Sequence, residues 1–176
     1  PLVHEHSGLV VTALGMDFIR DLEAAAAHLN PGRRLVYYPG SSIGNFSPDA
    51  AIALLARFRH LAGKDGQLLI GFDLKKDPQQ LHRAYNDAAG VTAAFNLNLL
   101  QRINRELGAD FDLAQFRHYA FYNPVAGRIE MHLVSLAGQT VNVANQGFHF
   151  EPGETLHTEY SYKYHPDAFS VIAGQA

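Results

Sequence analysis

The sequence predicts an α/β fold built from an open-sheet part and an inserted α+β part. Three observations predict it. Strand-like and helix-like stretches alternate up to Asp73, as they do in an open α/β sheet. Residues 67–72 (QLLIGF) are almost continuously apolar, the pattern of a parallel strand covered on both faces. After Asp73 the pattern changes to two helices and then successive short strands joined by short turns, which is antiparallel.

Each element has its own signal. Residues 9–14 (LVVTAL) are apolar and partly β-branched, and predict a strand; residues 18–29 form helix well and stop at Asn30-Pro31-Gly32. Leu35–Tyr38 (LVYY) predicts a second strand ending at Pro39-Gly40. Ser47-Pro48 then offers a capping hydroxyl and a proline for the first helical turn, and Gly63 closes that helix after about Ala62. Beyond strand 67–72, Asp77-Pro78 starts a helix. Val91–Leu107 predicts another, with Phe95, Leu99, Ile103 and Leu107 on one face and Gly108 behind it. Strands are expected at 117–122, 128–136, 140–143 and 156–164, separated by Asn123-Pro124, Ala137-Gly138 and Pro152-Gly153, and His165-Pro166-Asp167 leads into a last helix. The boundaries that follow are 1–74 for the open-sheet part, with 164–176 returning to it, and 75–163 for the insert.

Composition narrows the partners. With 176 residues, 47% of them hydrophobic, the chain is long enough to bury a core. Fourteen Lys and Arg nearly balance 17 Asp and Glu, so nothing points to nucleic acid or an anionic membrane. A small, roughly neutral ligand fits better. The absence of cysteine removes disulfides and thiolate metal sites, and neither a membrane-length apolar run nor a signal peptide is visible, so a cytoplasmic location is the default. The start at Pro-Leu-Val and the stop at Ile-Ala-Gly-Gln-Ala suggest a piece of a longer chain.

Two places carry candidate chemistry. The loop from Pro39 to Phe46 (PGSSIGNF) follows the carboxyl end of an inferred parallel strand, where open α/β sheets place ligands. Its glycines, Gly40 among them, allow close backbone approach, and the Asn45 amide both donates and accepts, which suits a zwitterionic amino acid. The alternative is a turn whose asparagine caps its own backbone. In the stretch 156–164, strict alternation puts His157, Glu159, Ser161 and Lys163 on one face and Thr158, Tyr160, Tyr162 and Tyr164 on the other. Glu159 and Ser161 would then stand roughly 7 Å apart at Cα. An imidazole between them meets an acceptor for its N–H and a hydroxyl for its other nitrogen. A solvated polar face of an edge strand is the alternative.

Ten histidines are scattered, and His4-Glu5-His6 comes with neither His-Glu-x-x-His nor a carboxylate cluster, so no metal is expected. Asp17 at a strand end, just before Phe18, could recognise an adenine amino group while the ring packs on the base; a helix cap is the equal alternative. Tyr85-Asn86-Asp87 falls just after the domain junction, in a helix.

Read together, six blocks resemble the histidine Nα-methyltransferases of ergothioneine biosynthesis. They are residues 38–46 (YPGSSIGNF), 71–77 (GFDLKKD), 85–96 (YNDAAGVTAAFN), 103–107 (INREL), 128–131 (RIEM) and 158–163 (TEYSYK). The resemblance runs from about Leu9 onwards and implies a Rossmann-like class I methyltransferase domain interrupted by a substrate-binding domain. It also implies that Asn45 and Tyr85 hold the substrate carboxylate, that Glu159 and Ser161 grip the imidazole, and that Met131 lines the same pocket. Asp17 and Phe18 match the adenine contact, and the backbone near Gly40 lies beside the reacting amine.

The implied reaction is transfer of methyl groups from S-adenosyl-L-methionine to the α-amine of L-histidine, three times, giving hercynine. No residue is an evident general base. The family's Glu-Leu-Gly-Ser-Gly type cofactor loop, its ribose-binding acid and its N-terminal tyrosines precede the region matched here. The segment alone is therefore expected to be inactive, its uncovered sheet face being covered either by self-association or by an N-terminal half of the chain. A paralogue acting on another amino acid and a non-catalytic amino-acid-binding module are the rival readings.

Overall fold

The computed structural model describes residues 5–6 and 8–176. A short helix α1 (Leu22–Ala25) runs into a 3-10 turn (Ala26–His28) and then into β1 (Leu35–Tyr38). A 3-10 turn (Ser42–Asn45), helix α2 (Pro48–Ala62) and β2 (Gln67–Ile70) follow. β1 and β2 pair in parallel, Leu35 opposite Gln67 and Tyr38 opposite Ile70. Parallel neighbours need a crossover, and α2 provides it. Ser47 Oγ accepts from the Ala50 amide at 3.3 Å, Pro48 occupies the first turn, and Gly63 at φ 79° ends the helix. The apolar side of α2 (Ala51, Leu54, Leu55, Phe58) packs with Ile43, Tyr164 and Phe169 into one core, against which Phe72 stacks on Phe169 at 4.1 Å.

Helix α3 (Pro78–Tyr85), capped by Asp77, and helix α4 (Val91–Leu107) come next. They cover one face of a three-stranded antiparallel sheet of order β3-β4-β7, formed by β3 (Phe116–Asn123), β4 (Arg128–Ser135) and β7 (Thr155–Tyr162). Leu81, Ala120, Ile129 and Met131 form one small core, and Leu100, Phe111, Phe116, Leu133, Val141 and Phe150 another. The latter takes in a hairpin of β5 (Gln139–Val143) and β6 (Gln146–Phe150). Past β7, Tyr164 bridges Leu74 in parallel, with the Tyr164 amide on the Asp73 carbonyl and the Lys75 amide on the Tyr164 carbonyl, both at 3.0 Å. The final helix α5 (Pro166–Gly174) thereby returns to the core of α2. No helix among the described residues is long and apolar enough to cross a membrane.

Five expectations need correction. Residues 9–14 form no strand, because no neighbouring strand pairs with them, and Leu9, Val10, Val11 and Leu14 are exposed. The stretch 18–29 yields only the short α1 and its 3-10 turn, since Leu22 alone is buried and a helix without a packed face is marginal. On α4 the buried positions are Asn96 and Leu100, while Phe95, Leu99 and Leu107 are exposed. Hydrogen bonds turned the helix: the Asn96 amide reaches the His132 carbonyl at 3.0 Å, and Asn104 exchanges two bonds with the Phe111 backbone. Strand β6 was not anticipated, its hairpin being closed by Ala144-Asn145 with both residues at positive φ, a turn usually signalled by Asn-Gly. Finally, strict alternation fails in β7. Met131 faces Glu159 but His132 faces His157, so a bulge at Thr158 sends His157 to the face of Tyr160, where their ring centroids are 5.8 Å apart. The sequence pair His4 and Glu5 straddles the limit of the described residues, His4 lying outside them.

Candidate functional site

The inner face of β7 and the loop after β1 meet at one point. Gly44 lies so close to β7 that a Cβ there would sit 2.8 Å from the Tyr162 carbonyl oxygen and 3.2 Å from Ser161 Oγ. That contact seats the loop 39–46 on the strand. Buried Ile43 anchors the turn from below, Ser41 enters it in the left-handed region at φ 63°, and Asn45 is left exposed at its rim. No hydrogen bond among the described residues engages the Asn45 side chain, so it does not cap its own turn.

Tyr85 is placed by its neighbours. The Asn86 amide donates to the Ala120 carbonyl at 2.9 Å and accepts from the Ala120 amide at 3.1 Å, which clamps the end of α3 to β3. The Tyr85 carbonyl accepts from His118 Nε2 at 2.8 Å, and Asn96 donates to His118 Nδ1 at 3.0 Å, fixing the ring as the Nε2–H tautomer. The Tyr85 ring therefore packs against the core that contains Met131. Met131 is directly opposite Glu159, and Ile129 is opposite Ser161.

At the centre is Lys163, 3% exposed. Its Nζ donates to Tyr85 Oη at 2.8 Å and to Ser161 Oγ at 2.9 Å, and pairs with Asp73 Oδ2 at 3.1 Å. It also lies 4.9 Å from the Tyr85 ring centroid. Burial alone raises the Asp73 carboxyl, but hydrogen bonds from Lys76 and Lys163 outweigh it and hold Asp73 below its ordinary range. Each hydroxyl that accepts from Lys163 has its own proton free to donate elsewhere. Glu159 is the complement: half-buried, with no partner for its carboxyl among the described residues, and pushed up from the usual glutamate range by burial. A cavity of about 160 Å³ beside it is lined by Phe95, Asn98, Leu99, Arg102 and Thr158. A larger cavity, about 650 Å³, is remote from these groups, on the α2 side of β2.

The residues matched to adenine recognition form a separate cluster at the carboxyl end of β1. Phe18 lies 5.9 Å from the Tyr38 ring, two residues before Gly40. Asp17 Oδ1 accepts from the Ile19 and Arg20 amides at 2.9 and 3.1 Å, so the carboxylate caps its own turn. Gly40 itself takes φ 78°.

A family model described as histidine-specific, S-adenosylmethionine-dependent methyltransferase matches residues 1–176. The chain belongs to this family. It is 44% identical to the histidine N-alpha-methyltransferase of Mycolicibacterium smegmatis over 171 residues, covering 96% of the chain and 52% of that protein. Against the histidine N-alpha-methyltransferase of Mycobacterium tuberculosis the identity is 41% over 166 residues, 93% of the chain and 51% of the relative. Ergothioneine biosynthesis protein 1 of Neurospora crassa is 32% identical over 126 residues, 64% of the chain and 14% of that protein. The chain thus spans about half the length of the two bacterial relatives.

The arrangement brings Tyr85, Met131, Ser161 and Glu159 to one sheet face and sets Asn45 at its edge. Sequence reasoning missed the central role of Lys163, although the alternation that paired Glu159 with Ser161 put Lys163 on the same face. Asn86, Asn96 and His118 were missed as well, and only their tertiary partners reveal them.

Proposed function

We propose that the full-length protein methylates the α-amine of L-histidine, three times, to give hercynine. In this reading residues 1–74 and 164–176 belong to a Rossmann-like class I methyltransferase domain, and residues 75–163 form the inserted substrate-binding domain. The single observation that carries it is the half-buried carboxyl of Glu159, without a partner among the described residues, beside a Ser161 hydroxyl that accepts from Lys163 and keeps its own proton to donate. That pair presents one acceptor and one donor. A neutral imidazole presents one N–H and one bare nitrogen, the complementary set.

Tyr85, whose hydroxyl likewise accepts from Lys163, donates to the substrate carboxylate, and the free Asn45 amide donates from the loop. Met131 packs against the imidazole plane. Holding both ends of the amino acid fixes the α-nitrogen between them, and alignment of that kind supplies most of what a methyl transfer needs from its protein. S-adenosyl-L-methionine, when bound, supplies an electrophilic methyl group on a sulfonium. Asp17 and Phe18 would hold its adenine, and Gly40 lets the backbone come close to the reacting centre. No side chain here is assigned as a general base.

The test is mass spectrometry of L-histidine incubated with the full-length protein and S-adenosyl-L-methionine. One, two and then three added methyl groups on the amino acid are expected. Methylation of the ring, or of another amino acid in preference, would overturn the assignment.

A further inference from the structure

The sheet face opposite the proposed histidine pocket carries a second constellation, made by the bulge that turns His157 over. Glu130 and His132 project from one side of β4, and His157, turned over by the bulge at Thr158, meets them from β7. A carboxylate oxygen and a ring nitrogen from each of the three lie within 4.8 Å of one another. The His132 and His157 rings stack with centroids 4.7 Å apart, and His132 Nε2 is 3.5 Å from Glu130 Oε2. For bonds of about 2.0–2.1 Å, two ligands of a tetrahedral zinc are roughly 3.3 Å apart. The Glu130–His132 pair is already near that separation.

The surrounding contacts orient the donor atoms, with Glu130 also ion-paired to Arg128. Glu130 Oε1 is taken by Asn123 Nδ2 at 3.0 Å and by Arg128 Nε at 2.8 Å, which turns Oε2 towards the two rings. His157 Nε2 is 3.1 Å from the Glu159 carbonyl, an acceptor, so it carries the proton and leaves Nδ1 bare. Outer hydrogen bonds of this kind commonly orient metal-ligating histidines and carboxylates. His132 has both ring nitrogens buried with no hydrogen-bond partner. A buried imidazole without partners costs stability, and a bound cation would supply one.

We propose that Glu130 Oε2, His132 and His157 Nδ1 form a binding site for a divalent transition-metal ion of the zinc class, with solvent completing the coordination. Two imidazoles and one carboxylate suit zinc better than calcium or magnesium. The ion ties β4 to β7 across the bulge, on the face away from Glu159. It is separate from the methyl-transfer chemistry and does not depend on that reading.

The experiment is calorimetric titration of zinc chloride into metal-stripped, tag-free full-length protein, with cobalt(II) absorption as the coordination readout. One equivalent of zinc, the visible spectrum of four-coordinate cobalt and a higher melting temperature with zinc are expected. His157→Gln, which removes one ligand at an exposed position, should abolish this binding and the gain in melting temperature with zinc. Asn123→Asp, which keeps the Oδ1 that accepts from the Val125 and Ala126 amides and loses the donor that orients Glu130, should weaken it by about 10- to 100-fold. No saturable zinc binding, or binding undiminished in His157→Gln, overturns the proposal.

Discussion

Lys163 joins the groups assigned to the two ends of the substrate, since Tyr85, Ser161 and Asp73 all depend on one buried ammonium. Lys163→Met keeps the length of the side chain but leaves Asp73 with Lys76 alone and returns both hydroxyls to other partners. Because Asp73 stays partly exposed and keeps one lysine, the loss should be about 1–3 kcal/mol, below that of a fully buried pair. Urea unfolding measures it, and histidine affinity should fall alongside. Glu159 predicts the opposite pairing of effects. Its folded pKa is raised by burial, so its ionisation costs stability as pH rises through that value. Glu159→Gln should therefore match the parent below the ordinary glutamate range and melt higher at neutral pH, while binding histidine less well. Thermal unfolding across pH gives the answer; a variant less stable at pH 7 would mean that the carboxyl has a partner in the folded state.

At the scale of elements, the site depends on the loop after β1 resting against β7. Gly44→Ala drives a methyl group against the Tyr162 carbonyl, a backbone atom that cannot step aside, and the overpacking should cost about 1–3 kcal/mol. The loop would lift and take Asn45 with it, so KM for histidine should rise more than kcat falls. Parent-like kinetics would show that the loop does not form one side of the pocket. This contact also marks the limit of what the sequence discloses. The helix limits of α2 and α4 were readable because caps and glycines act locally, and the Glu159–Ser161 pair was readable from alternation two residues apart. The bulge at Thr158 was not, because it is a mismatch between β4 and β7 and has no signal in either strand by itself. The inward turn of Asn96 and Asn104 was hidden for the same reason. Hydrophobic periodicity ranks both as solvent-facing until their backbone partners on other elements are known.

Across the whole molecule, a parallel pair and an antiparallel sheet are sewn together at Tyr164, and the side chains of Leu35, Tyr37 and Leu69 on the parallel pair are exposed. With the chain covering about half of its bacterial relatives, the 176-residue segment by itself should bind S-adenosyl-L-methionine far more weakly than the full-length protein and should self-associate through that apolar face. Equilibrium dialysis with sedimentation tests both; a monomeric segment with full-length affinity would contradict the assignment of residues 1–74 to a larger sheet. The central claim is that the assembled pocket reads the imidazole at Glu159. Its most direct test is calorimetric titration of L-histidine into the full-length protein and its Glu159→Ala variant. A loss of about 1.5–3 kcal/mol is predicted, the scale of one charge-assisted hydrogen bond, and unchanged affinity in the variant would contradict it.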